Sequence, residues 1–251
     1  MKASATLHPA ASKHLIARGV AAHPSVRAAL ERGTIVVTLG TTNAHVADEL
    51  LGTQIDHGAF AAGVIDGRWN VNERIGEATD VVIRNGARIE FDGASLLESL
   101  AAGDVVIKGG NALDPFGTVG VLMASPTGGT VGRYIPSAMA RGVETVIPIS
   151  VAKSIHAPIS ELSLEMGSGA IERADGIPCG LFPLVGHVVT EIEALSLLYG
   201  VRALHVASGG VGPGVGSVSL LIDGERDAVT AACDALDALK EATEPAVRGR
   251  P

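Results

Sequence analysis

Three times in this chain a run of strand-forming residues passes into a short glycine-containing loop and then into a segment of helical character. The loops are Gly40-Thr41-Thr42-Asn43, Pro126-Thr127-Gly128-Gly129-Thr130 and Gly209-Gly210-Val211-Gly212-Pro213-Gly214. Strands alternating with helices through tight loops predict right-handed crossovers and a mainly parallel sheet with helices on both faces. Backbone N–H groups at a helix start have no partner and carry the positive end of the helix dipole. A loop without Cβ atoms therefore lets a phosphate or carboxylate approach them closely.

Composition narrows the choice further. Of 251 residues, 47% are hydrophobic, 18% charged and only 3% aromatic, so Val, Ile, Leu and Ala must fill the core, as in a parallel sheet covered by helices. The net charge of -8, with no dense run among 19 basic residues, argues against a nucleic-acid partner. Cys179 and Cys233 form neither a disulfide framework nor a Cys-x-x-Cys pair, which points to a reducing cytoplasm and against thiolate zinc. The N-terminal stretch lacks the apolar core of a signal peptide, and no run approaches the roughly 18 apolar residues of a membrane span. A cytoplasmic protein is expected.

The pattern divides the chain into an α/β sheet domain over residues 1–155, a linker or functional loop over 156–182, and a small C-terminal α+β ferredoxin-like unit over 183–242. A frayed tail follows over 243–251. Residues 10–31 read as two short helices broken at His23-Pro24. Buried-type strands are expected at 34–39, 104–107, 120–123 and 144–149, with helices at 43–51, 95–101 and 135–141. Asn85-Gly86, flanked by apolar runs, predicts a type I′ hairpin, and Ser95 with Glu98 three residues on predicts a capping box. From 183 onward the order is strand, helix, strand, strand, helix.

Ligands in open α/β sheets sit at the carboxyl ends of the strands. There Gly40, Thr41, Thr42 and Asn43 offer amides, hydroxyls and a carboxamide to an anion; Thr127, Gly128, Gly129 and Thr130 offer a second such cradle. Lys108 follows an apolar strand and precedes Gly109, Gly110 and Asn111. A lysine so placed can hold a phosphate, polarise a carbonyl, act as a base or form a Schiff base if desolvated, or simply snorkel to solvent. Asp114 is positioned to pair with it or move a proton, or to serve the turn before Pro115. Lys153, at the end of the fourth strand with His156 nearby, is a further ligand contact. Asp66 and Glu73 bracket a polar stretch around Trp69 that reads as a rim or exposed loop. The histidines show no metal-ligand spacing, so neither metal nor cofactor is expected, and neither a nucleophile elbow nor a dinucleotide fingerprint is present.

The run Gly33-Thr-Ile-Val-Val-Thr-Leu-Gly-Thr-Thr-Asn-Ala-His-Val-Ala-Asp-Glu-Leu-Leu51, with Ile107-Lys-Gly-Gly110, resembles the first strand, phosphate loop and lysine loop of ribose-5-phosphate isomerases. Their relatives include glucosamine-6-phosphate deaminases, CoA transferases and the sugar-sensing domains of certain repressors. The resemblance implies that Thr41 and Thr42 bind phosphate or another ligand group and that Lys108 is an active-site lysine; an appended ferredoxin-like unit also occurs among those isomerases. The expected function is a small-molecule enzyme acting on a phosphorylated or carboxylated metabolite, of isomerase or acyl/CoA-transferase type. A non-catalytic metabolite sensor on the same fold is the alternative. The partner is then a small anionic metabolite. A homo-oligomer is expected, with the glycine-rich 206–217 segment as a candidate interface.

Overall fold

The structure, a computed structural model, describes residues 1–65, 70–71, 78–245 and 247. The polar stretch carrying Asp66 and Glu73 lies outside them. The chain opens with strand β1 (Lys2–Leu7) and helices α1 (Pro9–Ala22) and α2 (Pro24–Arg32). The helices break where the sequence predicts: His23 is extended, as residues before proline prefer, and Pro24 occupies the first helical position, where its missing N–H is not needed. Then come β2 (Thr34–Val37), α3 (Thr41–Leu51), the short pair β3 (Val64–Ile65) and β4 (Asn70–Val71), and β5 (Val81–Arg84) with β6 (Ala87–Ile89). Asn85 at φ 50° and Gly86 at φ 79° supply the two positive angles that a type I′ turn needs.

Helix α4 (Gly93–Ser99) starts before the expected Ser95 cap, because the Asp92 carboxylate accepts both the N–H and the hydroxyl of Ser95 and takes the cap itself. Next follow β7 (Val105–Ile107), β8 (Ala112–Leu113), β9 (Val119–Met123), α5 (Gly129–Arg141) and β10 (Glu144–Pro148). The chain ends with α6 (Ile159–Glu165), β11 (Gly180–Leu184), β12 (His187–Val189), α7 (Glu191–Tyr199), β13 (Arg202–Gly209), β14 (Ser217–Asp223) and α8 (Arg226–Ala238). No helix among the described residues is long and apolar enough to cross a membrane.

The architecture is mixed α/β. Its largest sheet has six strands in the order β12-β10-β7-β2-β5-β6, parallel from β12 to β2 and antiparallel through β5 and β6. All residues of β2 and β7 are buried, which is why these segments read as unbroken apolar runs with no alternation. Because β2, β7 and β10 are parallel neighbours, with Val37 beside Ile107 and Ile107 beside Val146, their carboxyl ends lie side by side. Three loops far apart in sequence therefore leave the sheet at one place.

Two sequence expectations change here. Strand β9 does not enter the large sheet: it folds back on β8 and takes β11 on its other edge, Val119 opposite Leu184 and Met123 opposite Gly180, so both its edges are occupied. The expected linker thus contains α6, and the segment after it supplies β11. At the C-terminal end, β12 joins the large sheet beside β10, while β14 pairs antiparallel with both β13 and β1. The βαββα order is split between two sheets, and the N-terminal strand completes the second one. Leu7, Val218, Leu220 and Ile222 of that small sheet share one buried cluster with Ile35, Val36 and Ile107.

Candidate anion-binding site

The loops after β2, β7 and β10 line a cavity of about 500 Å³, the size of a small-molecule site. Its wall includes Gly40, Thr41, Thr42, Asn43, Lys108, Gly109, Gly110, Asn111, Thr130 and Lys153. A second cavity of about 490 Å³ adjoins it, sharing Leu39, Ala62, Val121, Leu122 and Thr130, so the two form lobes of one cleft. Gly128 and Gly129 line the second lobe. Thr127 lines neither; its N–H and hydroxyl turn to Ser125.

Helix α3 presents its N-terminus to the first lobe. Gly40 is the cap residue and supplies no side-chain acceptor, and its own N–H donates to the Phe60 carbonyl at 3.0 Å. The N–H groups of Thr41, Thr42 and Asn43 meet no acceptor among the described residues, so the first turn of α3 is open to an anion. Asn43 is buried and bound from behind, its Nδ2 donating to the Thr38 carbonyl at 2.8 Å, while its Oδ1 has no partner among the described residues. A Cβ on Gly109 would lie 3.6 Å from that oxygen, which puts the unsatisfied acceptor against the lysine loop. Gly110 is required for packing: a Cβ there would stand 2.1 Å from Val119 Cγ1, so only glycine lets the β8–β9 hairpin close on the loop.

Three lysines converge on this lobe. Lys108 is buried, and its ammonium donates to the neighbouring Gly109 carbonyl at 2.8 Å. Desolvation, then the Lys153 charge, pull it down to about 8 against a weaker opposing pull from Asp80. The Lys153 ammonium donates to the Gly110 carbonyl at 2.7 Å. Desolvation of the ammonium, then the Lys13 charge, lower it to about 8 as well, although much of the side chain is exposed. Lys13 reaches in from α1 and is held by Glu244 at 2.8 Å. No carboxylate lines this lobe among the described residues. Two lysines with lowered proton affinity, an uncapped helix start and a lining without carboxylates among the described residues are features suited to an anion and to a proton held or released.

The neighbouring lobe is built around Asp80, which sequence reading did not single out. Its Oδ1 accepts the Leu39 N–H at 2.9 Å, and its Oδ2 accepts the Tyr134 hydroxyl at 2.8 Å and an Arg133 N–H at 3.3 Å. Burial, then the Asp80 charge and hydrogen bond, push the Tyr134 phenol well above its ordinary range. Behind this lobe the loop is pinned by Gly132, where a Cβ would collide with the Thr127 carbonyl at 1.8 Å.

Asp114 is not brought to Lys108's cavity. Its Oδ1 accepts the N–H groups of Phe116 and Thr118 at 2.9 and 2.8 Å, and its Oδ2 accepts that of Ile159 at 3.0 Å. Burial pushes this carboxyl up, but the hydrogen bonds together outweigh it and hold it below the usual range. It ties the β8–β9 turn to the start of α6, so its part is structural, following the aspartate-before-proline turn preference. Lys13 was missed although it left a trace: it sits with Ile16, Ala17 and Val20 on one helical face whose other members are buried. The histidines show no metal-ligand spacing in sequence, yet three gather in space: His14, His45 and His57 meet ring to ring at 4.3 and 4.4 Å. Their sequence spacing fits no metal motif because one comes from α1, one from α3 and one from the loop after it.

Compared with known proteins, the chain matches no family model, no curated protein and no solved structure.

Proposed function

We propose that the protein is a small-molecule enzyme that binds a phosphorylated or carboxylated metabolite in the basic lobe, with Lys108 as its catalytic group. The observation that carries this reading is Lys108 itself: a buried ammonium near neutrality with only a backbone carbonyl as partner, beside an open helix N-terminus. The α3 amides and the hydroxyls of Thr41 and Thr42 hold the anion, and Lys153 and Lys13 balance its charge. Lys108 stabilises negative charge developing on the substrate or takes up a proton, chemistry that suits an isomerase of sugar phosphates or an acyl or CoA transferase. The neighbouring lobe, with Tyr134 and Asp80, receives the rest of the molecule. The unpaired Asn43 Oδ1 favours a ligand that carries a hydroxyl donor next to its anion.

The same reading treats the parallel strands β2, β7, β10 and β12 as the scaffold and the β1-β14-β13 sheet with α8 as an appended α+β unit. It expects a homo-oligomer joined along the β13 edge and the glycine-rich loop after it, where Val206, Val211 and Val215 are exposed; light scattering that gives a monomer removes that part.

The test is a thermal-shift screen of sugar phosphates, CoA esters, nucleotides and small carboxylates, followed by NMR of the stabilising compound to see whether it is consumed. Stabilisation and consumption that Lys108→Met abolishes support the proposal. Normal turnover in that variant sinks the role of Lys108. A second reading, a non-catalytic sensor, is favoured by the commitment of Asp114 to backbone donors and by a lobe lined by no carboxylate among the described residues. It is distinguished by stabilisation without consumption.

A further inference from the structure

Helix α3 does more than open one end to the cleft. One turn below its N-terminus it carries His45 and, three residues on, Asp48; the chain then loops back to set His57 beside them. One ligand atom from each of these three residues lies within 4.8 Å of one from each of the others. His57 Nε2 and Asp48 Oδ2 are 2.6 Å apart, and Asp48 Oδ1 accepts the Ile55 N–H at 2.7 Å, which fixes the carboxylate and the loop together.

The state of His45 points to what is absent from an explanation by hydrogen bonds alone. Its Nε2 lies 2.8 Å from Glu244 Oε1. An ionised carboxylate only accepts, so Nε2 carries the hydrogen, and in the neutral form of the ring the lone pair lies on Nδ1. That Nδ1 is buried without a partner among the described residues, in a side chain only 3% exposed. A carboxylate holding one imidazole nitrogen so that the other is free to ligate is the arrangement found around metal-bound histidines.

We propose that His45, Asp48 and His57 bind a divalent transition metal of the zinc type, with Glu244 orienting His45 and water in the fourth position. Two imidazoles and one carboxylate suit Zn²⁺ or Co²⁺ and are too rich in nitrogen for Mg²⁺ or Ca²⁺. The ion joins α3 to the loop that follows it. That loop continues through Phe60, whose carbonyl accepts from Gly40, to Ala62 and Gly63 in the wall of the basic lobe. The metal therefore staples one wall of the cleft to the helix whose start binds the anion.

The experiment is a titration of the chelator-treated full chain with Zn²⁺ by calorimetry and with Co²⁺ by visible absorption. The expected result is one equivalent bound, four-coordinate Co²⁺ bands, and a rise in Tm with Zn²⁺. His57→Ala and Asp48→Asn should each weaken binding at least tenfold, and Lys108→Met should leave it unchanged, which separates this site from the anion site. Should the variants not fold, imidazole NMR of the unaltered chain decides: Zn²⁺ must shift the rings of His45 and His57. No binding, or binding that instead shifts His156, His187 or His205, overturns the proposal and leaves His57–Asp48 and His45–Glu244 as ordinary ion pairs.

Discussion

In the basic lobe Lys108 and Lys153 each donate to one glycine carbonyl and pair with no carboxylate among the described residues, whereas in the adjoining lobe Asp80 gathers donors from Leu39, Tyr134 and Arg133. Both lobes hold desolvated charge beside the same stretch of β9. One charge is satisfied by the protein and the other is left for something else to satisfy. A buried charge with a full set of partners is part of the fold, while a buried charge with too few is unfavourable until a ligand completes it. Asp114 belongs with Asp80: it is a carboxylate among catalytic candidates that the backbone has already taken up.

This contrast can be broken most forcefully at Asp80. Asp80→Ala strands the Leu39 N–H and the Tyr134 hydroxyl, and stability should fall by about 1–3 kcal/mol for each buried donor left unpaired. Denaturant unfolding measures it, and an unchanged midpoint would place Asp80 with the lysines. Lys108→Met should behave oppositely. Binding of whichever anion stabilises the protein should weaken about ten- to a hundredfold by calorimetry, the loss of a charged hydrogen bond, while the Tm without ligand stays level or rises.

A smaller effect is expected at Tyr134. Removing its hydroxyl in Tyr134→Phe should cost about 1 kcal/mol in denaturant unfolding, the usual net value of one hydrogen bond. Last comes pH. Lys108 titrates near 8 in the folded chain against 10.5 when unperturbed. Between those values the unfolded chain binds more protons than the native one, so stability should rise with pH across that window, and below it the penalty is fully present. Anion affinity should fall as pH passes about 8, because the ammonium that attracts the ligand is lost. Melting curves and calorimetry from pH 7 to 10.5, with and without Lys108→Met, test both signs.

Much of this was legible in the chain. The apolar runs at β2, β7 and β10 announced buried strands, Pro24 announced a helix break, and Asn85-Gly86 announced its turn, since each depends on contacts within a few residues. The gathering of Gly40, Lys108 and Lys153 was also foreseeable, because parallel neighbours align their carboxyl ends. Loop 127–130 reached the cleft by another route, since β9 pairs with β8 and β11 outside the large sheet.

The sequence by itself determined the strands at the centre of the large sheet, the helix break at Pro24 and which polar groups stand at those strand ends, because backbone propensity and burial periodicity act locally. Beyond the groups at the ends of neighbouring parallel strands, only the tertiary structure decided which side chains meet. It joined β1 to β14, brought Lys13 to the lobe, assigned Asp114 to the backbone and assembled His45, Asp48 and His57. Those outcomes depend on long-range packing of apolar faces, which local sequence pattern permits in several ways and only the burial of the whole core selects.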